Sequence, residues 1–387
     1  MSEAAPARPV LASPVPRGEI GVSGFYLTHF LAAVFPLTAG LLLYGWRAAA
    51  VVAGVIASAA IWAAIWRRIG PRGRMIHYPH ALWFALLLAL MLPAHLAQPP
   101  GNVWAIIAVA GLLLVILLWI SGGLGGGHLH PVLATYLLLV ICFGELLAPH
   151  RILNRSHLLT GDLFRTSLAD ARAINVPWIA RRHSASDADD IEPAAERLTR
   201  YTSGHEIPQR KWLPLQAVLR DSLPPLEDFI VAGQPGAIGV SSVVAVIIGG
   251  LFLLYRGIID YRIPLLSCIF AYLALLILPI PAVITEGPQW RWAAFRSSAI
   301  GWSVDVTFVN YEIMASPLIF TAFFLATAPT LRPMTRRGRT IYAIVFGILS
   351  AVLQLYVSVP VGPYVALLIA SLLSPELDRW FKARPLI

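Results

Sequence analysis

Charge is scarce in this chain. Only 13% of its 387 residues are Asp, Glu, Lys or Arg, about half the share of a soluble domain, which excludes an ordinary water-soluble globule. Cysteine is nearly absent: Cys142 and Cys268 each lie inside an apolar run. Two thiols cannot supply a four-thiolate iron–sulfur cluster, and they read as buried structural residues. Met1 to Ser23 is polar and rich in Pro and Ala, without the apolar core of a cleavable signal peptide. It reads as a loose cytoplasmic tail. Strands of alternating polarity are missing, which excludes an outer-membrane barrel. No phosphate-binding loop, catalytic triad or metalloprotease motif occurs, and no metal site is expected.

Apolar sequence fills the space. Hydrophobic residues make up 58% of the chain, the mean hydropathy is +0.72, and several runs reach the roughly 20 residues that cross a bilayer. The fold class expected is an all-α polytopic membrane protein. The formal net charge of +9 sits in short loops between spans, so it reports orientation in the membrane rather than nucleic-acid binding. Ten spans are expected: 25–43, 48–66, 81–96, 103–120 and 132–147, then 238–254, 263–284, 313–328, 341–359 and 364–373. The twelve tryptophans lie mostly near span ends, as interfacial anchors do.

Between the two groups of five lies one long polar stretch. The organisation expected is an N-terminal tail 1–24, a membrane half 25–148, a non-cytoplasmic insertion 149–235, a second half 236–375 and a tail 376–387. With the N-terminus inside, the arginine loops at 67–74, 256–262, 332–339 and 379–384 all fall in the cytoplasm, as do both termini. Five spans on either side of the insertion give the halves opposite starting directions, as two inverted five-helix repeats require.

Gly122 to Pro131, GGLGGGHLHP, interrupts this pattern with five glycines in six positions. Irregular backbone survives in hydrocarbon only where protein covers it or where it lines a cavity, and broken helices mark transporter binding sites. A tight connection at the membrane surface is the alternative. His128 and His130 beside it can carry protons or ligate, or sit at the interface, as can His77 and His80 at the start of the third span. Glu145, Asp305 and Glu312 are carboxylates at or inside spans, costly there and suspect as an ion or proton path with Asn310 and Thr327; helix ends in water are the other reading. His150, Arg151, Asn154, Arg155 and His157 open the insertion. They could hold a flavin or quinone oxygen or a partner's acidic face, or form a solvated loop edge.

Four stretches in order resemble one family, which contains the D subunit of the Rnf electron-transport complex and the B subunit of the sodium-pumping NADH:quinone reductase. They are Ala81 to Pro93 (ALWFALLLALMLP), Gly122-Gly123-Leu124-Gly125 with Pro131, Gly233 to Gly239 (GQPGAIG), and Phe323 to Pro329 (FFLATAP) extended by Thr335 to Gly338. The resemblance implies ten helices in two inverted repeats, within a complex that couples electron transfer to Na⁺ or H⁺ movement. Gly122, Gly123, Gly125, His128, His130, Gly236, Gly239, Arg151 and Arg155 are the candidates for holding a cofactor. The resemblance also implies FMN esterified to a threonine in a Ser-Gly-Ala-Thr motif, and there the sequence departs. The counterpart is Thr202 to Glu206 (TSGHE), with Glu206 at the attachment position. A carboxylate cannot form that phosphoester, so covalent FMN is not expected, and FMN or riboflavin would bind noncovalently. Other polar positions are edited too: Gly127, His130, Ala328 and Val240 stand where the family has Asn, Asn, Asp and Glu.

The function expected is therefore an electron-relaying subunit in a bacterial inner membrane. No nucleotide site is visible, so its electrons would come from other membrane and redox subunits of the complex. A non-redox channel or transporter on the same scaffold, or a membrane anchor for redox partners, is the alternative.

Overall fold

Apolar runs become helices because a backbone N–H or C=O in hydrocarbon has only its own segment to bond to. The computed structural model describes residues 22–69, 78–97, 103–121, 130–144, 147, 230, 237–284, 287–292, 306, 309–310, 312–314, 316–329, 331–357 and 360–381. Helices α1 (Val22–Tyr44), α2 (Trp46–Ile69), α3 (Tyr78–Met91), α4 (Val103–Ile120) and α5 (Pro131–Phe143) come from the first half of the chain. Helices α6 (Val243–Tyr255), α7 (Arg262–Ile277), α8 (Leu318–Phe320), α9 (Arg336–Tyr356) and α10 (Gly362–Trp380) come from the second. Gly24–Tyr44, Trp46–Arg68 and Arg336–Tyr356 are long and apolar enough to cross a membrane. Five shorter apolar helices accompany them. The protein is a polytopic helical membrane protein.

The helix ends follow local chemistry. Pro131 opens α5 at a position where its missing N–H costs nothing. The Ser242 hydroxyl caps α6 by accepting from the Ala245 N–H, and the Thr335 hydroxyl caps α9 by accepting from Gly338.

Two expected spans are corrected. The run 263–284 does not stay helical: α7 ends at Ile277, and a two-stranded antiparallel hairpin follows, β1 (Pro279–Ile284) and β2 (Gly287–Trp292). Pro279 explains the break. It has no N–H for the helix ladder and pushes Leu278 out of the helical region, to ψ 140°. The run 313–328 is not one helix either. Pro317 caps the single turn α8, and a π-turn over Thr321–Leu325 follows, closed by the Ala326 N–H donating to the Thr321 carbonyl at 2.8 Å. Insertions of this kind concentrate at functional sites, and this one lies inside the FFLATAP stretch.

Helix α2 packs on α3 and α4, and α4 on α5; in the second half α7 packs on α9 and α9 on α10. The halves meet where α1 lies against α6 and where α5 reaches α10. Helix α3 sits inside this arrangement. Leu86 to Leu92 are all essentially inaccessible, as befits a helix that is apolar all round and has no polar face to turn to water.

The α7–α9 contact depends on a missing side chain. A Cβ on Gly347 would run into the Ser267 carbonyl and approach the Ala271 nitrogen to 3.1 Å, so the helices must separate to accept one. Gly347→Val is expected to destabilise the detergent-solubilised protein by about 1–3 kcal/mol, the usual cost of overpacking. Tryptophan-fluorescence melting checks this. A variant that melts with the wild type would mean that the two helices are not in close contact.

Candidate functional site: a buried histidine cluster on helix 3

The first turn of α3 gathers three histidines. His80 lies on α3 itself, His29 comes from α1, and His130 stands immediately before Pro131 of α5; their exposures are 2%, 3% and 0%. Aromatic rings fill the space between them. His80 lies 4.3 Å from Phe84 and 5.3 Å from Tyr26 between ring centroids, and Phe84 lies 4.9 Å from His130. His29 packs on Phe25 at 4.1 Å and on the edge of Trp83 at 5.4 Å. One nitrogen of His29, Nδ1, is 3.0 Å from the Phe25 carbonyl. Neither ring nitrogen of His130 has a hydrogen-bond partner among the described residues. Such orphaned groups are costly in a dry interior and are functional suspects.

Phe324, Ala328 and Pro329 close the far wall of the cavity that these residues surround. Its volume is about 20 Å³, room for roughly one water molecule. A flavin ring system needs a pocket on the order of several hundred Å³, so this cavity does not fit one.

Described parts of the four stretches named above meet at α3, which itself carries the first; of the second only Pro131 is described. Trp83 and Phe84 belong to the first, His130 immediately precedes Pro131 of the second, and Phe324 and Pro329 belong to the fourth. The third arrives through the backbone: Gly239 N–H donates to the Leu90 carbonyl at 2.7 Å and Ile238 N–H to the Leu92 carbonyl at 3.0 Å. Gly239 is needed there, because a Cβ would stand 2.7 Å from the Leu90 Cβ. Its role in the described structure is this close approach.

A second buried polar group lies apart from the histidines. Glu312 is fully buried, and the Gln354 side-chain amide of α9 donates to its carboxylate Oε2 at 2.7 Å and to its backbone carbonyl at 2.6 Å. Glu312 Oε1 and Gln354 Oε1 have no hydrogen-bond partner among the described residues. Thr327 is buried too, but its hydroxyl donates to the Phe323 carbonyl one turn back at 2.6 Å. Asn310 is half-buried near Glu312 in the chain. Gly122, Gly123, Gly125, His128, Glu145, Gly236 and Asp305 lie outside the described residues, as do His77, His150, Arg151, Asn154, Arg155, His157 and Glu206. Among the described residues no three His, Cys, Asp or Glu side chains are placed to share a metal ion.

His29 and Gln354 were not singled out by sequence. The signal was present, since each is a polar side chain among apolar residues within a helix, where such residues are expensive.

These features define a helical membrane protein that keeps ionisable side chains buried within its bundle. The chain matches the NQR2, RnfD, RnfE family model over residues 10–386 and belongs to that family. It is similar to the D subunit of the ion-translocating oxidoreductase complex of Halorhodospira halophila, 25% identical over 378 residues, covering 92% of this chain and 90% of the relative. The D subunit of the same complex from Alcanivorax borkumensis is 25% identical over 380 residues, 94% and 92% of the two chains. The D subunit of the Na(+)-translocating ferredoxin:NAD(+) oxidoreductase complex of Acetobacterium woodii is 30% identical over 153 residues, 39% of each chain.

His130→Phe keeps an aromatic ring among aromatic neighbours and forfeits no described side-chain hydrogen bond. It is expected to cost less than about 1.5 kcal/mol in thermal stability, whereas His130→Ala opens a cavity and costs about 3 kcal/mol. Equal losses in the two variants, measured by thermal melting in detergent, would mean that a ring nitrogen makes a bond that stabilises the fold. Gln354→Leu strips Glu312 of its donor and is expected to cost about 1–3 kcal/mol.

Proposed function

We propose that this chain is an integral membrane subunit of an ion-translocating oxidoreductase complex of the Rnf type, which couples electron transfer to the movement of Na⁺ or H⁺. The observation that carries the reading is the meeting at α3, itself the first family-like stretch, of described residues from the other three, in a chain that matches its family over residues 10–386. Electrons come from partner subunits, since the chain carries no recognisable nucleotide-binding motif.

The finer architecture belongs to the same proposal. It has ten spans in two inverted five-helix repeats, 25–148 and 236–375, separated by the insertion 149–235 and flanked by tails 1–24 and 376–387. The protein sits in a bacterial inner membrane with both termini cytoplasmic. One set of contacts supports the orientation: Arg339 binds Asp260 at 3.1 Å, and Asp378 accepts from the Met334 and Thr335 backbone N–H groups at 2.9 and 3.1 Å. Three arginine-bearing loops therefore share one end of the bundle, as the positive-inside rule asks.

Glu312 is the centre of the proposed ion path, with Glu145, Asp305 and Thr327 along it. Gln354 fixes one carboxylate oxygen and leaves the other, Oε1, to take up a proton or a cation. His130 offers two ring nitrogens in the same capacity. A flavin, if the complex places one on this chain, supplies one-electron chemistry. It would be held noncovalently, because Glu206 stands at the attachment position, and by residues other than those of the histidine cavity. The anchor reading rests on the same two facts.

Visible absorbance of the purified protein, followed by denaturation, tests the redox role. Yellow flavin released into the supernatant is expected, together with co-purifying redox subunits. Flavin retained on the polypeptide would overturn the noncovalent assignment. Colourless protein from flavin-supplemented cells, with redox partners still bound, would leave the anchor. For the ion path, Glu312→Gln in the reconstituted complex should retain the fold and electron transfer within about threefold, yet lose at least tenfold in cation transport, as for removal of a transferring carboxylate. Unchanged coupling would exclude Glu312.

A further inference from the structure

A pocket of about 670 Å³ opens at the arginine-rich end of the bundle, between the α6–α7 turn and the segment leading into α9. Arg262, Arg332, Arg336 and Arg339 line it, with Asp260 as the one carboxylate in the lining. That carboxylate is already engaged. Asp260 Oδ1 accepts from the Arg262 backbone N–H at 3.2 Å, and Oδ2 accepts from the Arg339 guanidinium at 3.1 Å. Arg339 also donates from Nε to the Pro333 carbonyl at 2.9 Å. Arg262, Arg332 and Arg336 form no ion pair among the described residues. Burial and the neighbouring Arg339 press the Arg332 guanidinium below its ordinary value, and Asp260 works the other way. Both α7 and α9 begin at this pocket, so the positive ends of two helix dipoles add to the side-chain charge.

Positive charge held together without a matching carboxylate is repulsive, and an anion of matching shape relieves it. Guanidinium groups present paired donors suited to phosphate oxygens. The size indicates more than a bare ion, since the volume lies in the range that takes a whole small molecule. Leu254, Ile258 and Ile259 supply an apolar wall beside the arginines. We propose that this pocket binds a phosphate-bearing amphiphile or small molecule, with Arg262, Arg332 and Arg336 on the phosphate and the apolar wall on the remainder. A phospholipid headgroup and a soluble phosphate compound share this chemistry, and basic pockets between membrane helices are known sites for the former.

Melting of the purified full-length protein in neutral detergent distinguishes the sources, because a ligand that binds only the folded state raises the midpoint saturably. The probes are phosphatidylglycerol, phosphatidylcholine and inorganic pyrophosphate. A saturable rise with phosphatidylglycerol and none with phosphatidylcholine is expected. In the R332Q/R336Q variant, half-saturation should move to about tenfold higher lipid, as for the loss of charge-assisted contacts. R337Q removes one positive charge from α9 outside the pocket lining and should leave the response unchanged. Should the double variant fail to fold, R336Q alone, at an exposed position, should weaken binding about threefold by the same argument. A response to pyrophosphate equal to that of the lipid would support the site and assign it a soluble occupant. Equal responses to the two lipids, or an unaltered response in the arginine variants, would overturn the proposal. So would loss of a co-purifying partner protein in R332Q/R336Q with lipid binding intact, which would assign the arginines to a protein contact.

Discussion

Two backbone hydrogen bonds tie the second half of this protein to the buried helix α3, beside the helix packing that joins the halves. Gly239 and Ile238, just before α6, donate to the carbonyls of Leu90 and Leu92 at the end of α3. The last carbonyls of any helix lack partners within it, and in hydrocarbon such a group is costly. Here the second half of the chain supplies the donors. This satisfies α3, anchors the start of α6, and closes the protein over a helix that has no water-compatible face. The absence of a side chain at Gly239 makes the approach geometrically feasible.

Most helices were legible as apolar runs, because in a membrane the length of a hydrophobic segment nearly determines its structure. The fourth span was located to the residue, 103–120, since Val103–Ile120 carries no proline, glycine-rich break or charge to blur its ends. The misjudged spans contain features that hydropathy averages away. Pro279 and Pro281 carry no charge and barely lower the mean hydropathy of their run, yet the helix stops before them and a strand follows. Pro317 and the π-turn at Thr321–Leu325 leave the composition of their span unchanged while breaking its regularity. The histidine cluster was half legible. His80 and His130 stood out beside span ends, where water was a reasonable neighbour. Their burial against Phe84, Tyr26 and Phe324 depends on packing between segments more than 200 residues apart, which no local pattern encodes.

Buried polar groups gather on one side of α9. Tyr342, Ser350 and Gln354 follow one another at helical spacing, all are buried, and each has an atom without a hydrogen-bond partner among the described residues. Tyr364 of α10 adds another, its ring 4.8 Å from that of Tyr136 on α5. An apolar helix of the same length would be simpler to bury. A polar seam running along α9 inside the second half, continued by Tyr364 at the α5–α10 contact, instead gives the interior hydroxyl and amide groups, while the lipid-facing residues remain ordinary.

Helices α5 and α6 have 13 residues each, a rise of about 20 Å against a hydrocarbon thickness of about 30 Å. Where they cross, either the bilayer thins or polar backbone from the adjoining turns enters its depth. In both cases the insulating layer is narrowed where these two helices, each packed against the other half of the chain, cross it. The membrane voltage then falls over a shorter distance, and the electric field there is proportionally steeper. Any charge crossing there does the full electrical work within a compressed path, so the unequal helix lengths shape the energetics of passage without contributing a single ligand.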